Sequence, residues 1–495
     1  MARGNAYRFA RFARGLNTAD GPYGLREGYV DDPTGLGAEC RDCMNVVSRD
    51  RGNVSKRDGS TLEFSDAGIT SLSAVGQDAS SFLIRSTSAG DLVSRTAAGV
   101  DETLVAAGLS ATAPWTFLKL PTSGVQGPFY GMNGVDTPRE TAGTAASTGV
   151  WTIGGTVASA ATINGKHLVT AGNRLFVAGD TARPYSVLIS AIGVPTTFNI
   201  EVKFNPDSTY PITGLGTIGP YVVVFTERQI YLIYDTETGA NRKLADGAGT
   251  LSPKSIVETP KGLLFLDPAQ GVMACDGSGV TRISEQIQPT LDGIGDTNLA
   301  TVNAAWFGDH YYLSALVGGA RILLDWDSGL NSWWKHSHPV TPLVVWDSGS
   351  GTELLAATST EAWRLFVPGE LEDPSGIFES YWSGPFHTFG APHLRKRGRE
   401  IHFDGRGRFD VYLQDDYGLG AGVLQDQFSL SEAGGTFGGS GTFGGSGTFA
   451  GSVTIGEDSI YSFGVSRAWS VTAFSAAADY WELDAYTMLM TTRTD

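Results

Sequence analysis

The 495-residue sequence predicts an all-β fold: a β-propeller of about six or seven blades, with an extended N-terminal arm and a C-terminal β-sandwich-like domain. Three observations carry this expectation. Short apolar runs recur along most of the chain and are divided by Gly, Pro and Asp, the punctuation of up-and-down β meanders. Glycine supplies 65 residues, nearly twice the usual share of about 7%, while aromatics reach 11%. That combination suits many tight turns between aromatic-bearing strands. Helical periodicity is sparse, and repeated meanders around an axis are how propeller blades are built.

Residues 1–60 read as an arm with little regular pattern. Arg3, Arg8, Arg11 and Arg14 interleave with Tyr7, Phe9 and Phe12, and no acid precedes Asp20. Phe9, Phe12 and Leu16 have the spacing of a short amphipathic helix. The aromatics give the cations something apolar to bury beside them. The arm, through Arg3, Arg8, Phe9, Arg11, Phe12 and Arg14, is therefore a candidate for docking onto an acidic neighbouring subunit or onto phosphate. The competing reading is a solvated terminus, the usual fate of a charge run. The same stretch is basic but lacks the apolar core of a signal peptide, and Gly4 and Gly15 do not suit a transit peptide. Ala38–Val46 is a short helical candidate. Arg49–Gly59 is a turn dense in opposite charges, and Asn53-Val54-Ser55 has the form of a glycosylation sequon with nothing else to indicate secretion.

From residue 61 to about 375, strand follows strand. Ile69–Ala74, Phe82–Arg85 and Leu92–Ser94 suit one blade. Trp115–Leu120, Gly127–Met132 and Thr137–Glu140 suit a second. Thr162–Ala171 and Arg174–Ala178 are joined by Gly172-Asn173, a two-residue hairpin signal, and Tyr185–Ser190 continues that blade. Phe225–Ile287 supplies about two blades, with Ile230–Tyr234, Ser255–Val257, Gly262–Leu266 and Val272–Cys275 as strands and Ile283–Leu291 as a short helix. Ala304–Phe307, Tyr311–Leu316 and Ile322–Trp326 follow, then Leu343–Trp346, Glu353–Ala357 and Ala362–Phe366. The spacing of roughly 40–50 residues is that of propeller blades.

Residues 376–495 change character. Glu400–Phe403, Phe409–Leu413, Tyr461–Val465, Ala468–Phe474 and Ala485–Met490 read as the strands of a small sandwich. Before them stands Arg395-Lys396-Arg397-Gly398-Arg399. Four cations in five positions stand out in a chain of net charge −17. Arg395, Lys396, Arg397 and Arg399 are read either as a docking point for an acidic partner or as a solvated turn. A Gly/Ser-rich loop at 434–452 repeats every six residues and carries Phe437, Phe443 and Phe449. Flexible linkers carry no regularly placed Phe. An even period puts all three on one side of an extended chain. The loop is thus either a partner-contact loop or a repeat-expanded flexible segment.

Charge and motifs narrow the function classes. A net charge of −17 discourages nonspecific adhesion to nucleic acid or anionic membrane and argues against a nucleic-acid reader, though not against a conduit through which DNA slides without sticking. No apolar run approaches the ~18 residues of a membrane-spanning helix. Cys40 and Cys43 form one C-x-x-C and Cys275 stands alone; a zinc site needs about four ligands, so all three are expected to be reduced and structural. No nucleophile elbow, phosphate loop or H-E-x-x-H occurs, and the seven histidines are scattered. His336-Ser337-His338 is a weak metal signal. Asp325-Trp326-Asp327 could suggest paired carboxylates, but Asp327 begins an Asp-Ser-Gly turn and is better read as its cap. No enzyme activity, metal or cofactor is expected.

Four segments carry a resemblance. CRDCMNVVSRDRGNVSKRDGST (Cys40–Thr61), Phe225–Ile287 with its S-P-K-S-I-V-E-T-P-K-G-L-L-F-L core, DHYYLSALVGGARILLDWDSGLNSWWKH (Asp309–His336) and Phe386–Phe403 resemble the tail nozzle, or tail tubular, proteins of short-tailed bacteriophages, which include head-to-tail stabilising proteins. The resemblance implies a structural protein of the virion tail. It would form a homohexameric ring below the portal and its adaptor, giving DNA an exit channel without sequence-specific binding. Tail fibres or a needle or plug would attach to it, with transient contact to the host envelope. The arm and the Arg395–Arg399 cluster would then serve adaptor or subunit docking. The Phe repeat departs from the family pattern. Alternatives are a minor tail or baseplate hub protein of a long-tailed phage, and a carbohydrate-binding or glycan-cleaving propeller using Trp333, Trp334, Trp363 and Trp382.

Overall fold

A computed structural model describes residues 5–21, 23–27, 37–49, 52–76, 81–120, 128–157, 163–204, 210–349, 351–389, 391–407, 409–415, 427–430, 465–466 and 468–492. The chain divides into two compact units, one of residues 61–323 and 338–365, the other of residues 1–60, 324–337 and 366–495.

The first unit is built on a β-propeller. Among the described residues, seven antiparallel four-stranded sheets follow one another. They start at Ile69–Val75, Thr116–Lys119, His167–Ala171, Ile212–Ile218, Val257–Thr259, Asn303–Phe307 and Leu343–Asp347, and residues 324–337 of the sixth sheet group with the other unit. These seven first strands touch in a closed ring, each against the next and the last against the first, so they line an axis. Glycine permits the crowding there. A Cβ at Gly214 would lie 2.4 Å from Ile256 Cδ1, and one at Gly216 would lie 2.8 Å from Ile256 Cγ2. The hydrophobic core is divided into wedges between successive sheets. Phe176, Ile189, Val222 and Ile233 fill the wedge between the third and fourth, and Phe225, Ile230, Leu263 and Phe265 that between the fourth and fifth.

The ring is closed by sequence-distant strands. The seventh sheet takes Leu343–Asp347, Thr352–Ala357 and Glu361–Arg364 from the end of the propeller and Thr61–Ser65 from its beginning. Phe64, Ile69, Leu72 and Leu83 then share one wedge with Trp346 and Leu355. Glu63 locks the join: it receives Arg95 Nε of the first sheet at 3.0 Å and Arg364 of the seventh at 2.5 Å.

Turn chemistry follows the sequence reading. Gly172 and Asn173 both have positive φ, 54° and 59°, as a two-residue primed turn requires. Asp327 Oδ1 accepts the amides of Gly329 (2.8 Å) and Leu330 (3.0 Å) and is a turn cap. The expected helix at Ile283–Leu291 is a 3-10 turn, Glu285–Ile287, leading into a short α-helix, Gln288–Asp292.

The second unit has two sheets. One orders Val46–Ser48, Val54–Lys56, Trp481–Thr492, Lys396–Gly407 and Val465–Ser466, with Asn5–Ala10 also paired to Trp481–Thr492. The other orders Asp42–Met44, Ser380–Ser383, Trp469–Ser475, Phe409–Asp415 and Gln427–Leu430. Phe12 sits between them, its ring centroid 4.8 Å from that of Trp382 and 6.0 Å from that of Tyr486. The first 60 residues therefore contribute strands to both sheets instead of standing apart as an arm. The spacing of Phe9, Phe12 and Leu16 produces no helix, since Asn5–Ala10 is a strand. Ala38–Val46 likewise contains the strand Asp42–Met44. In both places pairing with strands from the far end of the chain overrides a weak local signal.

Candidate functional site

The propeller axis holds a cavity of about 820 Å³, lined by the seven innermost strands and the segments leading into them. Lys254 lines it from a fixed turn. That residue belongs to the 3-10 turn Pro253–Ser255, which leads into the fifth sheet. Its Nζ donates to Thr116 Oγ1 at 2.7 Å, and Thr116 begins the innermost strand of the second sheet. Sheets two and five lie three positions apart in a ring of seven, so the side chain crosses the axis.

The turn that carries Lys254 is firmly anchored. Ser255 Oγ donates to Ser252 O (2.7 Å) and accepts the Leu266 amide (2.9 Å). Tyr311 Oη donates to Ser255 O at 2.8 Å. Ser252 Oγ donates to Leu299 O, and Thr250 Oγ1 donates to Leu266 O at 2.7 Å. Ser252, Ser255 and Thr250 are all buried, so each hydroxyl satisfies a backbone group that would otherwise be costly to bury. The Ser-Pro-Lys-Ser sequence is thus a support for its lysine.

Lys166 and His167 line the same cavity from the third sheet, and Glu258 from the fifth. Desolvation pushes the Lys254 ammonium down to about 8. Desolvation, then Lys254 and Lys166, push the His167 imidazole down to about 3, which keeps it neutral at physiological pH. Thr217 Oγ1 donates to Glu258 Oε2 at 2.7 Å. Among the described residues, neither Lys254 nor Lys166 has a carboxylate within ion-pair distance. The sequence reading missed Lys254, because it took Ser255–Val257 as a strand. A lysine framed by Ser-Pro and Ser at the start of an apolar run was the available signal.

The residues singled out for docking are dispersed. Arg8 and Arg11 are exposed and Arg14 is half-buried, whereas Phe9 and Phe12 are wholly buried in the two-sheet unit. Phe9 packs 3.8 Å from the His387 ring and 4.9 Å from that of Tyr486, centroid to centroid. The apolar anchors of the expected arm are thus part of the chain's own core. The basic cluster is no turn: Lys396–Gly407 is a strand, with Arg397 opposite Thr491 and a register shift at Arg399. Arg395 is exposed, but Lys396 turns inward and its Nζ donates to the carbonyls of Ala391 (2.5 Å) and Leu394 (3.0 Å). Arg3, Phe437, Phe443 and Phe449 lie outside the described residues, and of the Arg397 and Arg399 side chains nothing is described.

Other candidates resolve structurally. Trp333, Trp334, Trp363 and Trp382 are all buried, so none offers a sugar-stacking surface. Cys40, Cys43 and Cys275 are free and buried. Asn53 and Ser55 of the sequon are buried as well, and Asn53 Nδ2 donates to Glu482 Oε1. Arg57 is enclosed by a bidentate pair with Asp373 (3.0 and 2.6 Å), by Asn45 Oδ1 (3.0 Å) and by the Phe378 ring 3.8 Å away. Among the described residues no group of three or more His, Cys, Asp or Glu is placed to hold a metal ion.

No protein-family model matches the sequence, and no curated protein matches it. Similar solved structures include the computationally designed Ika8 protein, at 12% identity over 63% of this chain and 100% of that one, with a TM-score of 0.37. BamB from Moraxella catarrhalis is similar at 13% identity over 66% and 96%, with a TM-score of 0.38. BBS1N in complex with ARL6DN is similar at 12% identity over 63% and 98%, with a TM-score of 0.41. The neighbours are propeller proteins; the fold of this chain is established by its own seven sheets.

Proposed function

We propose that this protein is a structural component of a virion tail, a nozzle subunit that assembles with copies of itself into a six-fold ring beneath a portal and adaptor. The observation that carries the reading is where the resembling segments fall. Cys40–Thr61 runs through strands of the two-sheet unit and ends on the strand that closes the propeller, Thr61–Ser65. Phe225–Ile287 and Asp309–His336 form parts of the fourth, fifth and sixth sheets, and Phe386–Phe403 opens the long strand Lys396–Gly407. The resemblance thus covers the skeleton of both units. Its residues are used for closure, burial and turn formation, which is the chemistry of a scaffold.

On this reading DNA passes down the bore of the ring, between subunits. The axis of each propeller is crossed by Lys254 and is no conduit for a duplex. Ring closure would use heterologous contacts, the same two surfaces repeated around the axis. Arg8, Arg11 and Arg395 are exposed cations in an acidic chain, and such contacts would draw on that contrast of charge. Native mass spectrometry and negative-stain imaging of the full chain, alone and with a portal–adaptor complex, test the assignment. A six-copy ring is expected in at least the second sample, and a chain that stays monomeric in both defeats it.

A further inference from the structure

We propose that the propeller axis is a binding site for a small ligand bearing an oxyanion, held by Lys254 with Lys166 and His167 beside it. The cavity, about 820 Å³, falls in the range of roughly 300–1,000 Å³ typical of small-molecule sites. Its charge is opposite to that of the chain as a whole. Two lysines line it against one carboxylate, Glu258, which already accepts from Thr217, in a protein of net charge −17.

Lys254 is the centre of the argument. An ammonium has three donors and no acceptor, and the bond to Thr116 Oγ1 uses one of them. Lys254 is half-buried, and partly withdrawing an ammonium from water without a counter-charge is costly. Here the cost is maintained by a turn fixed through Ser252, Ser255, Thr250 and Tyr311, so the side chain is held on the axis. An anion seated there would supply the missing counter-charge and take up the remaining donors, with Lys166 adding a second positive group. Desolvation, the cause of the low Lys254 and His167 pKa values, is the environment in which a charge-assisted bond is strongest. The shared chemistry is an oxyanion, whether of a phosphate or of a polycarboxylate.

The experiment titrates the full chain with pyrophosphate and with citrate at constant ionic strength set by sodium chloride. Binding is followed by calorimetry, and the His167 ring protons by NMR. Saturable binding of either probe at one site per chain, with movement of the His167 signals, is expected. Pyrophosphate alone would mark a phosphate-bearing ligand, and citrate alone a polycarboxylate. Lys254→Met should weaken binding about ten- to a hundredfold, the effect of losing one charge-assisted hydrogen bond. Lys254→Arg should retain most of the affinity, and Glu258→Gln should tighten it. If circular dichroism shows Lys254→Met unfolded, Lys166→Gln replaces it, an exposed position where a severalfold loss is expected. No saturable binding of either probe, or unchanged affinity in the folded lysine variant, overturns the proposal.

Discussion

His167 and Lys254 show how the propeller wall acts on single residues. The unfolded chain takes up a proton on His167 near pH 6.5, whereas the folded chain refuses it until about pH 3. Between those values the unfolded state binds more protons, so stability must fall as the pH drops from 6.5 towards 3. Lys254 acts at the other end. Its unfolded form stays protonated to about pH 10.5 and its folded form only to about 8, so stability must rise with pH between 8 and 10.5. Urea denaturation across this range should show both slopes. His167→Gln should remove the acid-side slope and Lys254→Met the alkaline one; slopes that survive the substitutions would refute the attribution. Arg57 gives a second prediction at this scale. Asp373→Asn leaves a buried guanidinium without its counter-charge and should cost about 3–5 kcal/mol, read as a lower urea midpoint. A loss below about 1 kcal/mol would mean that Asn45 and Phe378 suffice. Neither feature was legible from local sequence. Residues 49–59 read only as a turn dense in opposite charges, because Arg57 finds its carboxylate 316 positions away, beyond any sequence window.

The strands were more legible than their partners. Val222–Phe225, Leu263–Leu266 and Val272–Cys275 lie in central strands and are buried except for the half-buried Ala274, and their unbroken apolar runs announce them. Asn241–Asp246 was passed over because it is an outer strand whose residues are exposed or half-buried, which leaves no alternation to read. Ile212–Ile218 is harder to read for the opposite reason: Gly214 and Gly216 interrupt its apolar run, and they thin an innermost strand so that its neighbour can approach. Gly216→Val should therefore destabilise by overpacking, by roughly 1–3 kcal/mol, and a neutral result in thermal denaturation would contradict that crowding. The closing strand Thr61–Ser65 lay at the predicted domain boundary, and nothing local tied it to Glu361–Arg364. Its latch is testable. Glu63→Gln keeps the shape but removes the charge shared by Arg95 and Arg364, and should cost about 1–3 kcal/mol. Hydrogen exchange should rise first in the first and seventh sheets; an increase spread evenly over all seven would contradict the latch.

Over the whole molecule, residues 61–323 and 338–365 form one unit, and segments before, within and after that span, residues 1–60, 324–337 and 366–495, form the other. Both ends of the chain build that unit, which sequence order alone could not reveal. Two compact units predict a thermal transition with two components and a calorimetric enthalpy above the van't Hoff value. A single two-state transition would show that the units melt as one. The closing strand also sets an order of events in the living cell. Thr61–Ser65 leaves the ribosome first among the propeller's strands, yet the strand it pairs with ends at Arg364. At about 5–20 residues per second, it waits roughly 15–60 s for its partner. During that wait six sheets can form, but the ring cannot shut, and an unpaired edge is open to any other nascent chain. Translation speed and the spacing of ribosomes on the message therefore become determinants of yield for this protein.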